Sequence, residues 1–304
     1  MERQGNVFRK RNHRLRHWVP AKLGPARIAL RSLFQQHVLV RGRQNTTGLA
    51  HIFHCCTGKT GSQWLMSVLS DTQVVLRAGM YHYHYQSRRH LGPDPRPIRD
   101  REFTEPFPAG AIVTPVFVRY SKFRRTPMQG DYRAFFVFRD PRELLVSWYF
   151  STKTGHVASP HLNPEMVAAR EKLHALTQEA GLSWSIDEIV RRGHFQAMSE
   201  WLDAEDPRVQ LFRYEDLAGP EGYRTFARLL SFLNIRLTED ELGKLLAAYS
   251  FERLSGRKRG AIDEKSHLRA GGASTWSRYL TAGHLRALEG VFNRERLVRL
   301  GYEW

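Results

Sequence analysis

HIFHCCTGKTGSQWLMSVLSD, residues 51–71, decides how the rest of the chain reads. Its first residues are apolar, with Ile52 and Phe53 between two histidines, as in a buried strand. A turn follows at Thr57-Gly58-Lys59-Thr60-Gly61-Ser62. Trp64, Leu65, Val68 and Leu69 then recur at helical spacing. Strand, glycine-bearing loop and helix in that order make an anion site. Free backbone N–H groups at the helix start face the loop, and the helix dipole adds partial positive charge there. Lys59 brings a mobile cation, and Thr60 and Ser62 bring hydroxyl donors. The expected ligand is a phosphate or a group of that shape.

Outward from this stretch, strands alternate with helices. Apolar runs at 49–54, 111–118, 132–138 and 209–213 read as strands, and Val74–Leu76 as a short one. Pro115 places the second of these at a sheet edge or a bulge. Helices are expected over 62–70, 141–150, 164–180, 185–202, 222–233, 238–248 and 282–298. Such alternation predicts an α/β fold with a central, mainly parallel sheet covered on both faces. Residues 49–304 form one domain in this reading, and 1–48 an arm.

Charge is concentrated in that arm. Residues 1–43 carry eleven Lys and Arg against one acid, Glu2, in a chain of net charge +17. After Pro25, the residues Ile28, Leu30, Leu33, Phe34 and Val38 share a helix with Arg27 and Arg31. A basic amphipathic helix lies on an anionic membrane surface or packs on its own domain. A solvated tail is the plainer reading. Hydrophobic residues make up 41% of the chain, enough for a sizeable core, yet no apolar run approaches a spanning helix. The two cysteines, Cys55 and Cys56, are neighbours, so there is no disulfide framework, and a reducing cytoplasm is the expected setting, with peripheral membrane contact through the arm.

A second constellation lies at Phe136–Tyr149, FVFRDPRELLVSWY. A buried strand ends at Arg139. Asp140 suits a helix cap and Pro141 the first helical position. Ser147 lies two turns further on. Ligands in open α/β sheets sit beyond the carboxyl ends of the strands, so Lys59 and Arg139 are expected to face one crevice.

Two families compete for these motifs. Gly58-Lys59-Thr60 matches the tail of the nucleotide-triphosphate loop G-x-x-x-x-G-K-[ST], but that motif needs glycine at position 53, which is Phe53. Gly58-Lys59-Thr60-Gly61-Ser62-Gln63-Trp64 also resembles the P-K-S-G-T-T-W loop of sulfotransferases that use 3′-phosphoadenosine 5′-phosphosulfate (PAPS). Lys, Gly and Trp are in register. Gly58 stands for Pro, Thr60 and Ser62 are hydroxyl exchanges, and Gln63 replaces Thr. Arg139, Pro141, Glu143 and Ser147 match that family's R-[ND]-P-x-[DE]-x-x-x-S-x-[YW]. Tyr214-Glu215-Asp216-Leu217 resembles its Y-E-D-L, and Ser250-Phe251-Glu252-Arg253-Leu254 its S-F-x-x-M/L. Arg269-Ala270-Gly271-Gly272-Ala273-Ser274-Thr275-Trp276 resembles the closing R-K-G-x-x-G-D-W, with Ala270 for Lys and Ser274-Thr275 for Gly-Asp. The resemblance spans residues 49–304.

It implies a single-domain, P-loop-like three-layer α/β/α fold and sulfuryl transfer from PAPS to a hydroxyl acceptor such as a sugar, a glycolipid or a small alcohol. Lys59 would meet the bridging and leaving oxygen. Thr60, Gly61, Ser62 and Gln63 would cradle the 5′-phosphosulfate. Arg139, Ser147, Arg269, Ala270 and Gly271 would hold the 3′-phosphate. Trp64, Tyr214, Ser250, Phe251 and Leu254 would enclose the adenine. Sulfuryl transfer needs positioning and neutralised leaving charge, which these cations supply, so no metal is expected. For the acceptor's proton the expected bases are His82 and His84 of Tyr81-His82-Tyr83-His84-Tyr85, with Glu102 and Glu105 in reserve. The competing readings are a nucleotide kinase and a basic membrane- or nucleic-acid-binding protein with an inactive enzyme fold.

Overall fold

A computed structural model describes residues 25–89, 94–155, 164–264, 266, 268, 269, 271 and 275–303. Five strands, β1 His51–Cys56, β2 Tyr81–Tyr83, β3 Ala111–Val116, β4 Tyr132–Phe138 and β5 Val209–Arg213, form one sheet. Their order is β2-β3-β1-β4-β5 and every pairing is parallel. Apolar runs suit such strands because both faces are covered. Successive side chains point to opposite faces. Phe53, Cys55, Val113, Phe136 and Phe138 pack on one side, with residues of helices Pro141–Phe150, Gln178–Arg191 and His194–Leu202. Ile52, Cys56, Ile112, Phe135, Val137 and Phe212 pack on the other, with helices Ser62–Leu69, Thr72–Ala78 and Gly222–Phe232. This is the α/β arrangement, covered on both faces, that the alternation predicts, in the three-layer, P-loop-like form that the resemblance implies.

Several expectations change. Val74–Leu76 is not a strand but the middle of helix Thr72–Ala78, because local punctuation outweighs three apolar residues. The Asp71 carboxylate accepts from the Gln73 N–H at 2.8 Å, and Gly79 ends the helix at φ 65°. Residues 164–202 form three helices rather than two. The Thr177 hydroxyl caps Gln178–Arg191, and Gly193 at φ 80° separates it from His194–Leu202. Asn293 opens a new helix, Arg294–Arg299, inside the predicted last one. Pro115 is not at an edge, since β3 pairs with both β2 and β1. It takes the other expected place, a bulge-like register shift, where Phe53 pairs with Val113 but Cys55 with Val116. A proline has no N–H for the ladder, and the irregularity accommodates it. β2 is a strand that the sequence pattern does not mark.

Helix Pro25–Phe34 and the π-helical turn Gln35–Leu39 lie against this body. Arg31 Nη2 and Gln35 Nε2 both donate to the Ser70 carbonyl, at 2.7 and 2.8 Å. Ser32 Oγ donates to the His82 carbonyl, and the His82 N–H donates to Gln35 Oε1 at 3.0 Å. The other side leaves Leu30, Phe34 and Val38 exposed. The arm's residues 1–24 lie outside the described residues.

Candidate active site

The chain leaves β1 toward β2 and leaves β4 toward β5, so β1 and β4 flank the point where the winding direction divides. Ligands of such sheets bind beyond the carboxyl ends at that point. The two exit segments meet there: Arg139 Nη1 donates to the Lys59 carbonyl at 2.7 Å. Lys59 itself holds a left-handed backbone at φ 71°, uncommon for a residue with a Cβ. Gly61 follows at φ 73°, and a Cβ there would lie 2.5 Å from the Tyr214 ring. Only glycine fits the turn into helix Ser62–Leu69.

Beyond the strands lies a cavity of about 380 Å³, within the range of small-molecule sites. Lys59, Gly61, Ser62, Gln63 and Trp64 of the loop and helix line it. So do Arg139, Ser147, Tyr214, Ser250, Phe251, Leu254, Arg269 and Gly271. Residues scattered over more than two hundred positions of sequence are thus brought to one place. Thr60 is fully buried beneath the loop, where its hydroxyl donates to the Thr57 carbonyl at 2.9 Å. Ala270 lies outside the described residues.

Part of the lining is aromatic. The Arg139 guanidinium lies 4.9 Å from the Tyr214 ring centroid. Trp64 stands edge-on to Tyr214 and anchors its indole N–H on the Tyr249 carbonyl at 2.8 Å. Ser250 Oγ is used structurally, accepting from the Arg253 N–H at 3.3 Å to cap Phe251–Ser255. Gly271 holds φ 57° against Phe251, where a Cβ would lie 2.1 Å from the ring.

Part of the lining is cationic. Lys59 Nζ donates to Ser151 Oγ at 2.6 Å. Burial, with Arg139 and Arg269 close by, pushes the ammonium down to about 7. Glu143 holds the two arginines. Its carboxylate accepts from Arg139 Nη2 at 3.5 Å, Arg269 Nη2 at 3.2 Å and the Trp276 N–H at 2.7 Å, and also from the Thr275 N–H. Arg139 Nε, Arg269 Nε and Arg269 Nη1 are buried with no hydrogen-bond partner among the described residues. Unpaired buried donors are rare and point to a ligand. Ser151 and the bridging role of Glu143 escaped the sequence reading, although Ser151 follows Ser147 by one helical turn.

His82 and His84 are not among the residues lining the cavity. His82 is in β2, and β3 lies between it and β1. Burial, His84 and Arg31 hold its imidazole well below the usual range. His84 shares Nδ1 with Ser87 Oγ at 2.6 Å, and burial pushes it down to about 4. Glu102 pairs with Lys122 at 2.8 Å on the surface. A different histidine, His194 at the start of helix His194–Leu202, lies against the loop at Gly58.

No curated protein matches the chain. Among solved structures, mouse sulfotransferase SULT7A1 complexed with PAP is 16% identical, with 88% of this chain and 91% of that one covered and a TM-score of 0.47. Retinol dehydratase in complex with androsterone and inactive cofactor PAP is 13% identical, with 85% of each chain covered and a TM-score of 0.47. The family model described as "Sulfotransferase domain" matches residues 112–300, from β3 through the Arg139, Tyr214, Phe251 and Arg269 segments and short of the Lys59 loop. The chain belongs to this family and is a PAPS-dependent sulfotransferase.

Proposed function

We propose that the cavity holds PAPS with its sulfuryl end at Lys59 and its 3′-phosphate at Arg139, Ser147 and Arg269, and that the acceptor is a hydroxyl on a sugar, a glycolipid or a small alcohol. The observation that carries this reading is the set of buried guanidinium N–H groups left without partners beside the loop. They are donors in wait for an anion. The close backbone at Gly61 and Gly271, where a side chain would collide with Tyr214 and Phe251, fits an aromatic-walled nucleotide site. PAPS supplies an activated sulfuryl group when bound. The protein's part is positional and electrostatic. Lys59 neutralises charge on the leaving oxygen. Gly61, Ser62 and Gln63 present donors at the helix start, and Thr60 fixes the loop from below. Trp64, Tyr214 and Phe251, with Leu254, enclose the adenine.

The 3′-phosphate separates this reading from a kinase. Adenosine 3′,5′-bisphosphate (PAP) is expected to raise the melting temperature well above the shift given by ATP with magnesium. At a hundred times its Kd, a ligand stabilises by about 2.7 kcal/mol. A larger shift with ATP and magnesium would favour the kinase.

For a partner we propose an anionic bilayer, met by the exposed face of Pro25–Phe34. Leu30, Phe34 and Val38 are 63%, 51% and 60% exposed and recur every four residues. Arg27, Arg41 and Arg43 are exposed around them. An apolar stripe with basic flanks suits the interface of an anionic membrane. The triple variant L30S/F34S/V38S is expected to bind phosphatidylserine vesicles about tenfold or more weakly in sedimentation, with PAP affinity unchanged. Equal vesicle binding by variant and native chain would rule the surface out.

A further inference from the structure

We infer that His194, which lies against the loop at Gly58 and is not among the residues lining the nucleotide cavity, is the group that takes the acceptor's proton. This rests on the PAPS reading above.

The reaction's geometry makes the first demand. Sulfuryl transfer runs in line, so the attacking oxygen approaches opposite the leaving phosphate oxygen. Lys59, Gly61 and Ser62 face the nucleotide cavity. The acceptor must therefore come from beyond the loop, past Gly58 and Lys59. Among the described residues, His194 lies against Gly58 on the same loop. A Cβ on Gly58 would lie 3.2 Å from His194 Cε1 and 3.9 Å from Nδ1. The glycine leaves the imidazole directly against the loop, one residue before Lys59.

The second observation is chemical. His194 is only 7% exposed, and its Nδ1 has no hydrogen-bond partner among the described residues. Thr57 Oγ1, on the same loop, is likewise buried and unpartnered. Other buried imidazoles also leave a nitrogen unpartnered among the described residues, His51 Nδ1 and His54 Nε2 among them, so what singles out His194 is its place against the loop at Gly58. Two open polar atoms, one on the loop and one on the ring that lies against it, fit a third polar group, the acceptor's hydroxyl. Burial, with Arg192 and Arg101 nearby, pushes the ring down to about 3, so it is neutral and able to accept. The negative charge that PAPS brings raises that basicity in the complex.

Distance sets His194 apart from His82 and His84. Neighbouring strands lie about 4.8 Å apart, so β2, two places from β1, is roughly 10 Å away. A base has to reach within about 3 Å of the proton. His194 is close enough to the loop to crowd a Cβ added at Gly58.

The step balances. The acceptor O–H bond breaks and its proton passes to His194. The acceptor oxygen bonds to sulfur, and the bond from sulfur to the 5′-phosphate oxygen breaks, its electron pair leaving on PAP.

The test compares native enzyme with H194Q and H194A, and with H82N and H84N. Calorimetry measures PAP binding, and single turnovers measure transfer from labelled PAPS to water and to 2-naphthol. PAP affinity within about twofold of native shows that the variants fold. Transfer is expected to fall about 10²–10⁴-fold in both His194 variants. Glutamine can hydrogen-bond but cannot take a proton, so rescue by H194Q would reduce His194 to a positioning role and overturn the inference. In PAP-loaded, ¹⁵N-histidine-labelled enzyme, the His194 resonance is expected to move when 2-naphthol is added. Near-native rates in H194A overturn the proposal, as does loss of PAP binding in both His194 variants, or a collapse of transfer in H82N or H84N instead. If the native enzyme fails to bind PAP, the PAPS reading itself has failed.

Discussion

Lys59→Ala is expected to slow sulfuryl transfer about 10²–10³-fold, the usual cost of removing one preorganised donor from developing negative charge. Lys59 lines the cavity from a left-handed loop position and bonds Ser151 at 2.6 Å. Burial and two neighbouring arginines hold it near 7, far below an ordinary lysine. A polyanion entering the cavity reverses the repulsive part of that shift and raises the pKa. Free enzyme near and above pH 7 is partly deprotonated at this site, whereas the complex is protonated. PAP binding should therefore take up protons in this range and weaken as pH rises. Calorimetry in two buffers of different ionisation enthalpy reads the uptake directly. K59A should lose both the uptake and the pH dependence while keeping most PAP affinity, because the arginine clamp is intact. Unchanged uptake in K59A would mean that the ammonium does not face the ligand.

The parts of this site legible in the sequence are those written by local rules. β1, its glycine-bearing loop and helix Ser62–Leu69 follow from an apolar run, a turn and a helical repeat. The Asp140 cap and Pro141 announce helix Pro141–Phe150, and Ser147 follows by spacing. The illegible parts depend on which strands become neighbours. His82 and His84 attract attention by nearness in sequence to the loop, but strand order separates β2 from β1. His194 stands 136 residues beyond Gly58 and reads in sequence as one more histidine at a helix start. The Lys59–Ser151 bond and the Glu143 contacts with Arg269 and residues 275–276 form only after the sheet closes. Val74–Leu76 failed differently, since a three-residue apolar run cannot distinguish a strand from a capped helical turn.

Glu143→Gln is expected to lower the unfolding free energy by roughly 3–5 kcal/mol, the cost of breaking a buried ion pair by removing one partner. The side chain is 2% exposed and lies between Arg139 and Arg269, whose side chains are 12% and 7% exposed. The backbone N–H groups of Thr275 and Trp276 donate to the same oxygen. A neutral amide keeps the shape. It offers one acceptor where the carboxylate offers two, and turns N–H donors toward groups that are themselves donors. Two guanidiniums then remain buried without their counter-charge, and the 275–276 backbone loses its anchor. The same loss changes what the ligand does. If Arg139 and Arg269 clamp the 3′-phosphate, PAP returns negative charge to the pair, so the stability gap between native and variant should narrow in saturating PAP. Urea unfolding with and without PAP measures both quantities. A gap below about 1 kcal/mol without ligand would show the arginines to be neutralised elsewhere. A full gap that PAP leaves untouched would confine Glu143 to holding the fold and remove these arginines from the phosphate.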